Sequence, residues 1–134
     1  MPLLEEVAAR LVAQGVGTLS SNIFYGSNAV IPTGDGPYLT LTETGGMAPM
    51  RIQNKASGNI QQPTFQVAVR ARTYPVARAM CKAAYDALDG VFNLTLSGTF
   101  YQKITARQEP TDIGLDGVKR PTVVVNFEVM KNPS

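Results

Sequence analysis

The 134-residue chain contains no histidine. That removes Ser-His-Asp catalysis, imidazole acid–base chemistry and the common zinc sites. Cysteine occurs once, at Cys81, so one chain can build neither a disulfide framework nor a thiolate metal cluster. Cys81 reads as a small core residue, because a nucleophilic cysteine normally takes its base from a histidine. No apolar run approaches the ~20 residues of a membrane span. The opening M-P-L-L-E-E-V has neither the basic n-region nor the apolar h-region of a signal peptide. The expectation is therefore a protein made in a cytoplasm and not exported by that route. Charge is nearly balanced, with 12 Lys+Arg against 10 Asp+Glu and a net of +2. So small a sum does not argue for nucleic-acid binding, and the distribution of the basic groups matters more.

What is present is the composition of an ordinary globular protein. A hydrophobic content of 44% is too high for general disorder. The length suits one domain with a real core, and there is no internal repeat or low-complexity tract.

Residues 63–90 organise the chain. They begin with period-two alternation. Phe65, Val67, Val69 and Ala71 point one way, and Gln66, Ala68, Arg70 and Arg72 the other, which describes a half-buried strand. At Thr73-Tyr74-Pro75 the period becomes helical. Val76, Ala77, Met80, Cys81, Ala84, Tyr85 and Leu88 form an apolar stripe opposite Arg78, Lys82, Asp86 and Asp89. Pro75 fits the first helical position, and Gly90 fits the left-handed residue that stops the helix.

The other elements are read from the same periodicities. Residues 2–14 form a helix with Leu3, Leu4, Val7, Ala8, Leu11 and Val12 on one stripe. Glu5 and Glu6 sit in its first turn, where Glu6 can pair with Arg10. Residues 22–26 and 38–43 are strands. Residues 91–97, with Phe92, Leu94 and Leu96 on one side, form a hairpin with 100–108 across a tight turn at Gly98-Thr99. Residues 109–120 are a loop. Residues 122–130 are a strand with Val123, Val125, Phe127 and Val129 facing the core. The fold class is α+β: a single domain over 1–134. It has one mixed, mostly antiparallel sheet of about six strands and two helices packed on one face.

Residues 44–62 are the least regular stretch, with Gly45-Gly46, Pro49, Gly58 and the pair Gln61-Gln62. A loop this long is either a solvated excursion or an arm that orders against a partner. Met47, Met50 and Ile52 favour the arm, because apolar side chains on a free loop would stay exposed. Together with Arg51 and Lys55 they are the candidate interface to another subunit or partner.

Chemistry is hard to place. Asp112 and Asp116 share a glycine-rich loop that lacks the further oxygen ligands of a Ca²⁺ or Mg²⁺ site, and turn formation explains them better. Gly34 and Gly36 lack the Lys-Ser/Thr and strand–helix context of a phosphate loop. No nucleophile stands with a base, so no enzyme, metal or cofactor is expected. The basic residues carry more. Arg70 and Arg72 share one strand face, and Lys103 and Arg107 share another. Either this is an ordinary solvated sheet face, or it is presented to phosphate backbone or to another subunit's acidic patch. Aromatic interleaving for single-strand stacking is thin, with only Tyr101 near Lys103. A polar sheet face with edges to cover suits assembly into a closed ring.

Five segments in order carry a family resemblance: L-L-E-E-V-A-A-R-L-V-A-Q-G-V-G at 3–17, N-I-F-Y-G at 22–26, L-T-E-T-G-G at 41–46, Q-V-A-V-R-A-R-T-Y-P-V-A at 66–77, and K-R-P-T-V-V-V-N-F-E-V at 119–129. Together they span nearly the whole chain and resemble the minor capsid and tail terminator proteins of long-tailed bacteriophages. The resemblance implies a non-catalytic virion protein, assembled in the host bacterial cytoplasm. It implies a homohexameric ring that caps the tail tube, stops its polymerisation and joins it to the head-completion proteins. DNA passes through the lumen, and no membrane is involved. On that reading 44–62 is an inter-subunit or tube-contacting arm. Arg70, Arg72, Lys103 and Arg107 are candidates for the lumen or an interface. A head–tail connector or neck subunit would share much of this pattern, and a nucleic-acid-binding module using the basic face is the alternative of a different class.

Overall fold

The computed structural model describes residues 3–19, 21–26, 37–50, 60–115 and 120–132, with side chains described for all of these except 46–50 and 115. Two helices, α1 (Leu3–Ala13) and α2 (Tyr74–Leu88), accompany seven strands. The strands are β1 (Ile23–Tyr25), β2 (Tyr38–Met50), β3 (Ile60–Arg70), β4 (Val91–Leu96), β5 (Thr99–Ala106), β6 (Thr111–Leu115) and β7 (Pro121–Lys131). The sheet order is β1-β2-β3-β7-β5-β4, with β6 also paired to β7. Only β1–β2 is parallel among these pairs.

The strand alternation has a direct physical result. Phe65, Val67 and Val69 of β3 and Val123, Val125, Phe127 and Val129 of β7 are buried on the helix side. Phe65 and Phe127 sit opposite each other and stack at 5.1 Å. The helix packing α2 lies over β3, β7 and β5, burying Ala77, Met80, Cys81, Ala84, Ala87 and Leu88. Thr73 precedes it in an extended conformation, Pro75 occupies its first turn, and Gly90 follows at φ +81°. Both helix ends are thus set by the residues that sequence reasoning picked out. The α1 helix touches α2, β1 and β2 on one side and β4 on the other. Those strands are the two ends of the sheet order, so the half-barrel curls around α1.

Several expectations are corrected. The first is the extent of β2 and β3. Residues 44–50 and 60–62, expected as loop, are strand, because β2 and β3 pair with each other through Gly46↔Pro63, Met47↔Gln62 and Met50↔Ile60. Likewise 109–120 contains β6, which pairs with the half of β7 that β5 leaves bare. Val76 is 44% exposed, not core, since it lies on the first turn of α2 beyond the sheet's cover. In β4 the inward residues are Val91 and Leu96, while Phe92 and Leu94 are exposed. Asn93 at φ +48° breaks the alternation between them. The tight turn is Ser97-Gly98, both at positive φ (+49° and +88°), as a two-residue hairpin loop requires.

Burial of Cys81 has a measurable consequence. Desolvation pushes its thiol up from 9.0 to about 12, with the Arg78 charge opposing. Burial also raises the Tyr101 phenol, with its hydrogen bond to Glu6 adding to the shift. In both cases the unfolded chain releases its proton first. The stability tied to the protonated Cys81 thiol is therefore complete below pH 9.0 and is lost as pH climbs toward about 12, and that tied to the Tyr101 phenol starts to be lost only above 10.0. Lys131, lowered by burial against an opposing pull from Glu6, acts in the reverse sense below 10.5. Urea titrations should show Cys81 contributing a decline of about 1.4 kcal/mol per pH unit above pH 9. Cys81→Ala should flatten that first part of the decline; an unchanged alkaline slope would contradict the assignment.

Candidate functional site

The most distinctive surface is the far end of the β2–β3 ribbon. β1 pairs only with Leu39, Thr40 and Leu41 of β2. Beyond that point no other strand among the described residues covers the outer edge of β2. A bulge between Glu43 and Gly45 then turns the ribbon, with Gly45 at φ +98°, a conformation that a glycine adopts without strain. The hydroxyls of Thr44 and Thr64 share a 2.7 Å hydrogen bond across the bulge. On its other side β3 stays paired to β7 as far as Gln61↔Lys131. Met47 and Met50 lie on this ribbon opposite Gln62 and Ile60. Arg51, Ile52 and Lys55 fall outside the described residues.

The basic residues are spread, not gathered. Arg70 ends β3 opposite Tyr38 and Thr122, with its guanidinium 5.5 Å from the Tyr38 ring centre. Tyr38 in turn meets Phe24 edge-on at 6.1 Å. Arg72 is exposed in the bend before α2. Lys103 lies on β5 opposite Met130 and Phe92. Arg107 follows β5 and pairs with Glu128 at 3.3 Å, both half-exposed. The rows of Arg70 (Thr122) and Lys103 (Met130) are eight residues apart on β7, about 26 Å. These four cations are spread over the strands and the bend before α2, and Arg107 is already matched by an acid.

A buried polar cluster went unseen in the sequence. Glu6, Tyr101 and Lys131 come from α1, β5 and β7, and all three are buried. The Tyr101 hydroxyl donates to Glu6 Oε1 at 2.8 Å, while Glu6 Oε2 has no hydrogen-bond partner. The expected Glu6–Arg10 pairing gives way to this arrangement, and Arg10 Nε instead donates to the Ala87 carbonyl at 3.3 Å. A signal existed: Glu6 is three residues from Leu3, at the edge of the apolar stripe. A buried carboxylate needs charge and hydrogen-bond partners, which here come from distant strands.

Two clefts flank the ribbon base on opposite sides. One, of about 290 Å³, is lined by Leu3, Glu43, Gly45, Gln61, Pro63, Thr64 and Lys131. The other, of about 80 Å³, is lined by Gln62, Pro63, Thr64, Lys103, Glu128, Val129 and Met130. Among the described residues no group of three or more acidic or cysteine side chains could hold a metal ion. No described helix is long and apolar enough to cross a membrane.

Comparison with known proteins gives two findings. A family profile described as bacteriophage tail terminator protein matches residues 10–132. Among solved structures, a chain from the virion of a native gene transfer agent particle has a similar fold. The TM-score is 0.70 at 17% sequence identity, covering 98% of this chain and 95% of that one. At that identity the likeness is one of fold. No curated protein matches the sequence.

Proposed function

The chain belongs to the bacteriophage tail terminator family, whose members are structural virion proteins, and from that premise we propose that it forms a ring that caps the tail tube and joins it to the head-completion proteins. The observation that carries this reading is the ribbon of β2 and β3, which runs on past β1 so that, among the described residues, no strand covers the outer edge of β2 there. Unpaired strand edges are strong templates for association, and a heterologous contact that closes on rotation gives a ring rather than a fibre. The ribbon, with Met47, Met50, Arg51, Ile52 and Lys55, is the arm that meets a neighbouring subunit or the tube. Arg70, Arg72, Lys103 and Arg107 serve as separate interface or lumen contacts, available to passing DNA without reading its sequence. The protein acts without catalysis or cofactor, and assembly takes place in the host bacterial cytoplasm.

The test is the native mass of the purified protein, alone and with tail tube protein. A hexameric mass, or a tube-dependent hexamer that arrests tube growth, is the expected result. A chain that stays monomeric and leaves tube polymerisation unchanged would sink the proposal. Virions lacking the protein separate this role from that of a neck subunit. Tails of abnormal length mark loss of a terminator, whereas normal free tails with leaking heads mark loss of a connector.

A further inference from the structure

The base of the ribbon is built differently from the rest of the sheet. β3 pairs with β7 residue by residue from Arg70↔Thr122 to Thr64↔Glu128. The ladder then breaks at Gln62 and Pro63, and resumes in a single row, Gln61↔Lys131. Pro63 has no N–H to give, so a ladder bond is missing there by chemistry. On the partner strand the bulge at Glu43/Gly45 falls at the same level, with Gly45 pairing to Thr64. Both strands of the ribbon are therefore interrupted at one height. The two clefts open at that height, one on each side, and Pro63 and Thr64 line both.

We propose that this level is a hinge and that the row beyond it is its latch. Gln61, Lys131 and Tyr101 stand side by side on β3, β7 and β5. Lys131 is 3% exposed and Tyr101 is fully buried, with Glu6 of α1 accepting the Tyr101 hydroxyl hydrogen bond beneath them. Among the described residues, the one row joining the ribbon to β7 beyond the hinge is thus anchored through a buried polar cluster to the first helix. Among the described side chains at the ribbon base, 42–45 and 60–64, none belongs to the buried core, so buried apolar packing by these residues does not set the ribbon's angle. The latch holds it, and the clefts leave room for it to rock when the latch is released. This deepens the reading of the ribbon as the contact arm: the arm has a set angle that a partner can change at low cost.

Amide hydrogen exchange on the isolated full-length protein tests the hinge without reference to assembly. Its failure is therefore distinct from failure of the arm reading, which native mass decides. Lys131→Met keeps the buried aliphatic stem and removes the charged end. The amides of Gln61, Gln62, Thr64 and Gly45 should exchange about tenfold faster, with those of Val67 and Val125 unchanged. Pro63→Val restores a donor and should slow the same four amides. This second variant keeps the test alive if the first fails to fold. Changes spread evenly over core and ribbon amides, or no slowing in Pro63→Val, would overturn the proposal.

Discussion

Tyr101→Phe is expected to lower the unfolding free energy by about 2–3 kcal/mol. The change removes one oxygen and keeps the ring, so packing against the core is preserved and the loss isolates the hydroxyl. That hydroxyl donates to Glu6 Oε1 at 2.8 Å in a site where both residues are fully buried. Among the described residues Glu6 Oε2 has no hydrogen-bond partner, so losing the Tyr101 hydroxyl removes the hydrogen bond that Glu6 Oε1 accepts from β5. A buried hydrogen bond to a charged group is worth more than a neutral one, and its loss exposes the full desolvation cost of the group left behind. Urea unfolding of Glu6→Gln, Tyr101→Phe and the double variant should give a coupling of about 1–2 kcal/mol. A loss below about 0.5 kcal/mol for Tyr101→Phe would mean that the tie between α1 and β5 is apolar packing alone.

The largest effect on assembly is expected from shortening the ribbon. Met47 and Gln62 face each other across it, so residues 48–61 can be replaced by Asn-Gly, the pair that suits a two-residue hairpin loop. Ile60 and Gln61, whose side chains are described in the removed stretch, are not members of the buried core. Among the described residues the pairings lost are Met50↔Ile60 within the ribbon and Gln61↔Lys131 to β7, so stability should stay within about 1 kcal/mol of the full chain. Assembly into rings and arrest of tube growth should be abolished. A shortened protein that still forms rings and still caps tubes would show that the contact arm lies elsewhere.

Legibility of the sequence followed the physics of each element. Where one face is buried against helices, the pattern is strict, and Phe65 to Ala71 and Val123 to Val129 could be read directly. Thr73, Pro75 and Gly90 marked α2 because their backbone chemistry leaves few alternatives. The ribbon was harder, since Gly45, Gly46 and Pro49 read as loop. Strand formation there comes from pairing between two segments, which local propensity does not encode. The same holds for β6, where Gly114 and two flanking acids hide a strand created by vacant space on β7. Asn93 shifted the parity of β4 through one left-handed residue, a change that alternation counting cannot see. For the candidate site, Met47 and Met50 were picked out as apolar residues on an expected loop, and the structure places them in β2 opposite Gln62 and Ile60. The Glu6 cluster was not, because its partners are a tyrosine 95 residues away and a lysine near the end of β7.

The position of β7 also bears on how the protein is made. It is the strand to which β3, β5 and β6 all pair, yet it is synthesised after every other strand. Until it leaves the ribosome there are two half-sheets, β1-β2-β3 and β4-β5, with no common centre. Glu6 must wait even longer, since its burial depends on strands made almost a whole chain later. Folding dominated by such distant pairings is slow, and partly made chains are prone to aggregate. Chains cut before Pro121 should collect as insoluble material, while full-length chains fold as one cooperative unit. The number of folded chains available for virion assembly would then be set by completion of this one strand.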